Sequence, residues 1–308
     1  MRKIWLKTVG ICLVMVMSIG LFACSNEEGE NGKIKVTSTI GMIGDVVANI
    51  GGEYVESTSL MKPGIDPHLY KATQGDINKL DEADIIFYNG LHLEGKMEDI
   101  FEKMTKEKPT VPVTKNVSTS VLLEGDDGSQ FDPHLWFNVQ YWISAAEVIR
   151  DELIALDEEN KAYYENNADE YITKMKELDA YAKEQMASIP EENRILVTAH
   201  DAFGYFGEAY GIKVMGLQGI STESEVGSKD VSELRDFLVE NKIKAVFVES
   251  SVPKKTIEAV IEGAKSMGHE VKIGGELYSD AMGDEGTKEG TYLGMVRHNV
   301  DTIVSNLK

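Results

Sequence analysis

Of the six histidines in this chain, two stand in nearly the same phrase, Asp66-Pro67-His68-Leu69-Tyr70 and Asp132-Pro133-His134-Leu135-Trp136. Proline fixes its own φ and drives the preceding aspartate toward extended backbone, so each phrase is a stiff presenter of an imidazole. A third histidine, His200, follows the β-like run Ile195 to Thr198, and strand ends are where open α/β sheets bind ligands. A fourth candidate, Asp280, lies beyond Val271-Lys272-Ile273 in Gly274-Gly275-Glu276-Leu277-Tyr278-Ser279-Asp280 and offers one or two carboxylate oxygens. Imidazole and carboxylate together suit a divalent transition ion. Glu249, at the end of Ala245-Val246-Phe247-Val248, points toward the same region and is expected to orient a ligand imidazole through its free ring nitrogen. Asp201, beside His200, is expected to cap the helix that follows. Spacing alone leaves open whether these positions meet in space.

The elements that must position them alternate in the rhythm of βαβ units. Strand-like Ile34 to Ser38, Tyr54 to Leu60 and Ala83 to Tyr88 enclose helical Met42 to Ile50 and Gln74 to Leu80. The rhythm restarts with a strand at Arg194 to Thr198, a helix over Asp201 to Tyr210, and helices over Val231 to Asn241 and Lys254 to Met267 around the strand at Ala245 to Val248. Between the two blocks, Asn160 to Ser188 contains neither glycine nor proline and is rich in Ala, Glu, Lys, Met and Leu, which predicts one long helix. The fold class is therefore α/β with two lobes, each a sheet flanked by helices, joined by a stiff helix. The expected boundaries are a lobe over 33–159, a connector over 160–190 and a lobe over 191–308.

The N-terminus opens with Met1-Arg2-Lys3 and Lys7, runs apolar from Thr8 to Ala23, and meets Cys24 after Leu21-Phe22-Ala23. A cationic start before a short apolar run is an export signal, here 1–23, and its apolar stretch is shorter than the roughly 20 residues a membrane span needs. The ending resembles a bacterial lipobox, which implies that Cys24 becomes the lipidated first residue, followed by an acidic tether over 24–32. Multiple acyl chains hold a protein on a membrane surface where one does so only marginally. The other cysteine, Cys12, lies within the signal, so any metal must be held by nitrogen and oxygen. With 52 acidic against 31 basic residues and a formal net charge of −21, nucleic acid is excluded as a natural partner.

The phrases around His68 and His134, with Thr198-Ala199-His200-Asp201-Ala202-Phe203-Gly204-Tyr205 and Tyr278-Ser279-Asp280, resemble the signatures of metal-binding receptor lipoproteins of bacterial ABC importers, the cluster A-I or cluster 9 solute-binding proteins. Gly90-Leu91-His92-Leu93-Glu94, Gly216-Leu217-Gln218-Gly219-Ile220-Ser221-Thr222 and Val248-Glu249-Ser250 extend the likeness over nearly the whole chain, and the manganese-binding branch is the nearest in pattern. The resemblance implies one ion held in a cleft by His68 and His134 from the first lobe and His200 and Asp280 from the second. It also implies a monomer, anchored on the outer face of the cytoplasmic membrane, that delivers the ion to a permease and its ATPase without catalysis. His92 is left out of this set because relatives often carry Asn there, and His269 and His298 match no ligand phrase.

Three imidazoles and one carboxylate favour Zn²⁺ on intrinsic affinity, since Mn²⁺ stands at the weak end of the divalent series and prefers oxygen. Against zinc, Thr114 to Phe131 contains no histidine, whereas zinc receptors of the resembling family commonly carry a His-rich loop there. The expectation is Mn²⁺ as transported ion with Zn²⁺ binding readily; the alternative is a zinc-specific receptor. Two readings from other classes are a surface adhesin and a zinc hydrolase, the latter opposed by the absence of His-Glu-x-x-His, Gly-x-Ser-x-Gly and phosphate-loop motifs.

Overall fold

The structure is a computed structural model that describes residues 32–125 and 130–308. The leader and Cys24 lie outside the described residues. Among the described residues, eight strands form two parallel four-stranded sheets.

The first sheet begins with β1 (Ile34–Ser38), crosses over through α1 (Gly41–Gly51) to β2 (Val55–Ser59), then through α2 (Gln74–Glu82) to β3 (Ile85–Tyr88). Thr73 and Asp76 start α2 with reciprocal side-chain to backbone bonds, which satisfies the open N–H groups of its first turn. After α3 (Glu98–Met104) the sheet closes with β4 (Thr110–Pro112), giving the order β2-β1-β3-β4. The chain then enters α4 (Val139–Leu156) and α5 (Lys161–Ala187). The second sheet repeats the plan: β5 (Ile195–His200), α6 (Gly204–Tyr210), β6 (Lys213–Gln218), α7 (Ser228–Glu240), β7 (Ala245–Glu249), α8 (Lys255–Ser266) and β8 (Lys272–Leu277), in the order β6-β5-β7-β8, with α9 (Tyr292–Leu307) last. In each order the winding reverses beside the second strand, between β1 and β3 and between β5 and β7. The carboxyl ends at such a reversal form the natural ligand crevice of an open parallel sheet.

The expected two α/β sheets and the long helix are present. At 27 residues α5 is about 40 Å long. Its buried face, Tyr164, Ala168, Tyr171, Ile172, Met175, Leu178, Ala182 and Met186, follows the 3.6-residue period and packs on α1, α4, α6 and α9. The helix thus serves both as connector and as an ordinary core helix. One apolar core runs through both halves: Phe137 stacks on Phe203 at 4.3 Å, and Trp142 lies 6.0 Å from Tyr292. A second core, including Val197, Leu238, Val246 and Val260, fills the far side of the second sheet.

Four local expectations are corrected. His200 is the last residue of β5 rather than its successor. The helix expected from Asp201 starts at Gly204, and Phe203 rather than Asp201 occupies its N-cap position. The strand expected to stop at Ile273 continues to Leu277 through a bulge that slips its register against β7, which brings Asp280 within three residues of a strand end. β6 gave no sequence signal because Gly216 interrupts it. That glycine is required: a Cβ there would sit 2.6 Å from the backbone N of Asp201.

Candidate metal centre

His68 leaves β2 through Met61 to Pro67. Leu60 and Met61 still bond to Ser38 and Thr39 beyond the end of β1, and Gly64 takes the left-handed turn that reverses the chain at φ 75°. Asp66 Oδ1 then accepts the backbone N–H of His68 at 2.9 Å, while Oδ2 accepts the Thr222 hydroxyl at 2.6 Å from the other half of the molecule. The second phrase is built alike, with one added bond. Asp132 Oδ1 accepts both the His134 backbone N–H at 2.9 Å and its ring Nδ1 at 2.7 Å. This fixes the tautomer and leaves Nε2 for a ligand.

On the far side, His200 points Nδ1 inward because Nε2 bonds to the Ile220 carbonyl at 3.0 Å. Asp280 is brought up by Tyr278, whose N–H and C=O are both gripped by the buried Asn299 side chain at 2.9 and 2.7 Å. Trp136 Nε1 donates to the Ser279 carbonyl at 3.1 Å, tying the His134 turn to the Asp280 turn.

These supports converge. One donor atom from each of His68, His134, His200 and Asp280 falls within 4.8 Å of the others, and none of the four residues exceeds 3% exposure. The three imidazole centroids form a near-equilateral triangle of 5.3, 5.6 and 5.1 Å. His68 Nε2 is 3.3 Å from His134 Nε2, which is 3.2 Å from Asp280 Oδ1; His200 Nδ1 is 3.7 Å from Asp280 Oδ2. A tetrahedron with bonds of 2.0–2.1 Å has edges of about 3.3–3.5 Å, which His134 Nε2 already meets toward His68 and Asp280, while the group as a whole, within 4.8 Å, contracts somewhat to hold a small divalent ion. The family profile named ZnuA, zinc-uptake complex component A periplasmic, matches residues 36–306.

The chain belongs to this family. The family is that of metal-binding, extracytoplasmic solute-binding components of ABC importers rather than enzymes, and it includes membrane-anchored lipoproteins. The manganese-binding lipoprotein MntA of Bacillus subtilis is 49% identical over 298 residues, covering 96% of this chain and 97% of that protein. The zinc-binding protein TroA of Treponema pallidum is 47% identical over 283 residues, 92% of each chain. The TroA structure superposes with a TM-score of 0.88 over 90% of this chain and 99% of its own. Membership sets aside the hydrolase reading.

The site's charge state follows from burial and neighbours. His68 is pushed down to about 3 by burial, with the neighbouring imidazoles adding to the effect against the pull of Asp280. Burial opposes charge on His134 as well, but the Asp132 carboxylate, followed by Asp280, lifts it to about 9. His200 likewise rises to about 10 against burial, through Asp280 and then Glu249. Burial would raise Asp280, yet His200, His134 and His68 together hold it well below the ordinary carboxylate range. The pocket without metal therefore keeps Asp280 anionic, His68 neutral and two imidazoles charged. An incoming cation must displace those two protons.

Glu249 departs from its expected role. Its Oε1 accepts the His200 backbone N–H at 2.9 Å, and the free ring nitrogen goes to Ile220 instead. The remaining histidines stand apart: His92 pairs with Glu98 at the surface at 2.6 Å, and His269 and His298 bond to the carbonyls of Ile243 and Glu276. Sequence reasoning missed Asn299 and Thr222, for which no local signal exists. It also missed the direct bonds of Asp66 and Asp132, whose signal was present, since an aspartate two residues before a bonding partner is a recurrent local pattern.

Proposed function

We propose that this chain captures Mn²⁺, and Zn²⁺ readily, at His68, His134, His200 and Asp280 and delivers it to a membrane permease powered by an ATPase. Cys24 carries the lipid anchor, and the receptor acts as a monomer with no nucleic-acid partner. Residues 33–159 and 191–308 act as lobes joined by 160–190, each contributing two ligands. What supports this reading is the burial of three imidazoles and one carboxylate, two from each half, around a space of ionic size. The donors already stand close, and α5 resists bending because a bend breaks backbone bonds, so ion capture needs only a small closing movement.

A second reading, a zinc-specific receptor, draws on the nitrogen-rich donors and on the tetrahedral spacing of His134 Nε2 toward His68 and Asp280. Isothermal titration of metal-free protein with each ion, together with metal accumulation in a deletion strain, decides between them. Manganese uptake should fall on deletion. Lost zinc uptake with normal manganese uptake would overturn the choice of ion.

A further inference from the structure

One buried oxygen beside the donor set has no assigned use. Glu249 ends β7 next to His200 at the end of β5, where the winding of the second sheet reverses, and it is 1% exposed. Its Oε1 is committed to the His200 backbone. Its Oε2 has no hydrogen-bond partner and lies 3.5 Å from His200 Nδ1, the ring nitrogen that faces Asp280. His200 Nδ1 is likewise buried without a hydrogen-bond partner, so Glu249 Oε2 stands beside one of the four donors, just outside the group that they form. A carboxylate oxygen this deeply buried is disfavoured unless a cation meets it, and without metal the group that faces it is the His200 ring at 3.5 Å. Asp280 alone also supplies one negative charge against two on the ion.

We propose that Glu249 Oε2 is a further oxygen donor for the captured ion and that it shifts a zinc-like set of three imidazoles and one carboxylate toward Mn²⁺. The inference rests on the four-residue site proposed above. Zinc is satisfied by four donors in a tetrahedron, whereas manganese favours oxygen and more donors around it. Glu249 reaches the ion by turning its carboxylate about Oε1, which stays on the His200 N–H. The low intrinsic affinity of Mn²⁺ for nitrogen is offset by that extra oxygen, and Zn²⁺ leaves it unused.

The test is titration of metal-free wild type and Glu249→Gln with MnCl₂ and ZnCl₂. The amide keeps an oxygen for the His200 N–H and removes the charge. Mn²⁺ affinity should fall within the range of about 10–100-fold and Zn²⁺ affinity by less than about threefold. Equal losses for both ions would reduce Glu249 to a positioning residue, and unchanged affinities would remove it from the site; either overturns the proposal. If the glutamine variant does not fold, Glu249→Asp, which keeps the charge but withdraws it, should show the same unequal loss. Wild type that binds neither ion would instead refute the underlying site. In crystals, Oε2 should lie within about 2.5 Å of Mn²⁺ and farther from Zn²⁺; the reverse order contradicts the assignment.

Discussion

The two halves of the site are supported in different ways. His68 and His134 are each braced by an aspartate two residues earlier, so their support folds together with a single short loop. His200 and Asp280 are braced by Ile220, Glu249 and Asn299, which lie 20, 49 and about 20 residues from the groups they hold. The first half is preorganised locally, while the second exists only once its sheet and α9 are assembled. Trp136 to Ser279, Asp66 to Thr222, Tyr205 to the Asp132 carbonyl and Tyr292 to the Trp136 carbonyl are among the bonds by which one half registers the other.

The largest effect is expected from Asp280→Ala, which removes the one carboxylate among the four donors. Affinity should drop by more than the roughly 10–100-fold that loss of an outer partner costs, and metal should no longer raise the melting temperature. A full-strength thermal shift would take Asp280 out of the site.

Next, the local braces separate by the bonds they make. Asp132→Ala frees the His134 ring and should cost about 10–100-fold in Kd, whereas Asp66→Ala, which holds backbone and Thr222 but no ring, should cost about fivefold. Equal costs in titration would erase the distinction. In the assembled half, Asn299→Ala leaves both polar groups of Tyr278 without partners and should destabilise the metal-free protein by about 1–3 kcal/mol in denaturant unfolding. The smallest effect belongs to Thr222→Val, about 0.5–1.5 kcal/mol, visible as faster metal release to a chelator. No change in release would mean that this bond does not couple the halves.

The pH dependence has a definite sign. With folded values raised to about 9 and 10 from 6.5, His134 and His200 stabilise the metal-free protein fully below pH 6.5 and lose that contribution as pH rises through their folded values. Metal competes with the same protons. The metal-induced rise in melting temperature should therefore be larger at pH 8.5 than at pH 6.5, with proton release seen by calorimetry in buffers of different ionisation enthalpy. Equal increments at both pH values would contradict this charge state.

The same contrast explains what was legible in the sequence. Both sheets and α5 were readable because β-branched runs and a long stretch free of Gly and Pro are local signals. The repeated Asp-Pro-His phrase was readable for the same reason. β6 was not, since its tight approach to Asp201 demands the glycine that hides the strand. The end of β8 was misread because a bulge at consecutive glycines looks like a terminus. Asn299 is an unremarkable polar residue in an amphipathic helix until α9 packs beneath Tyr278. For the four donors, residue types and strand ends made them candidates, but their grouping came from family likeness, as convergence across more than 200 residues has no local trace.

The most direct measurement is a crystal structure of metal-loaded protein with anomalous scattering collected at the manganese and zinc edges. A single anomalous peak bonded to His68 Nε2, His134 Nε2, His200 Nδ1 and Asp280 is the predicted result. A peak elsewhere, or an ion lacking ligands from either half, would contradict it.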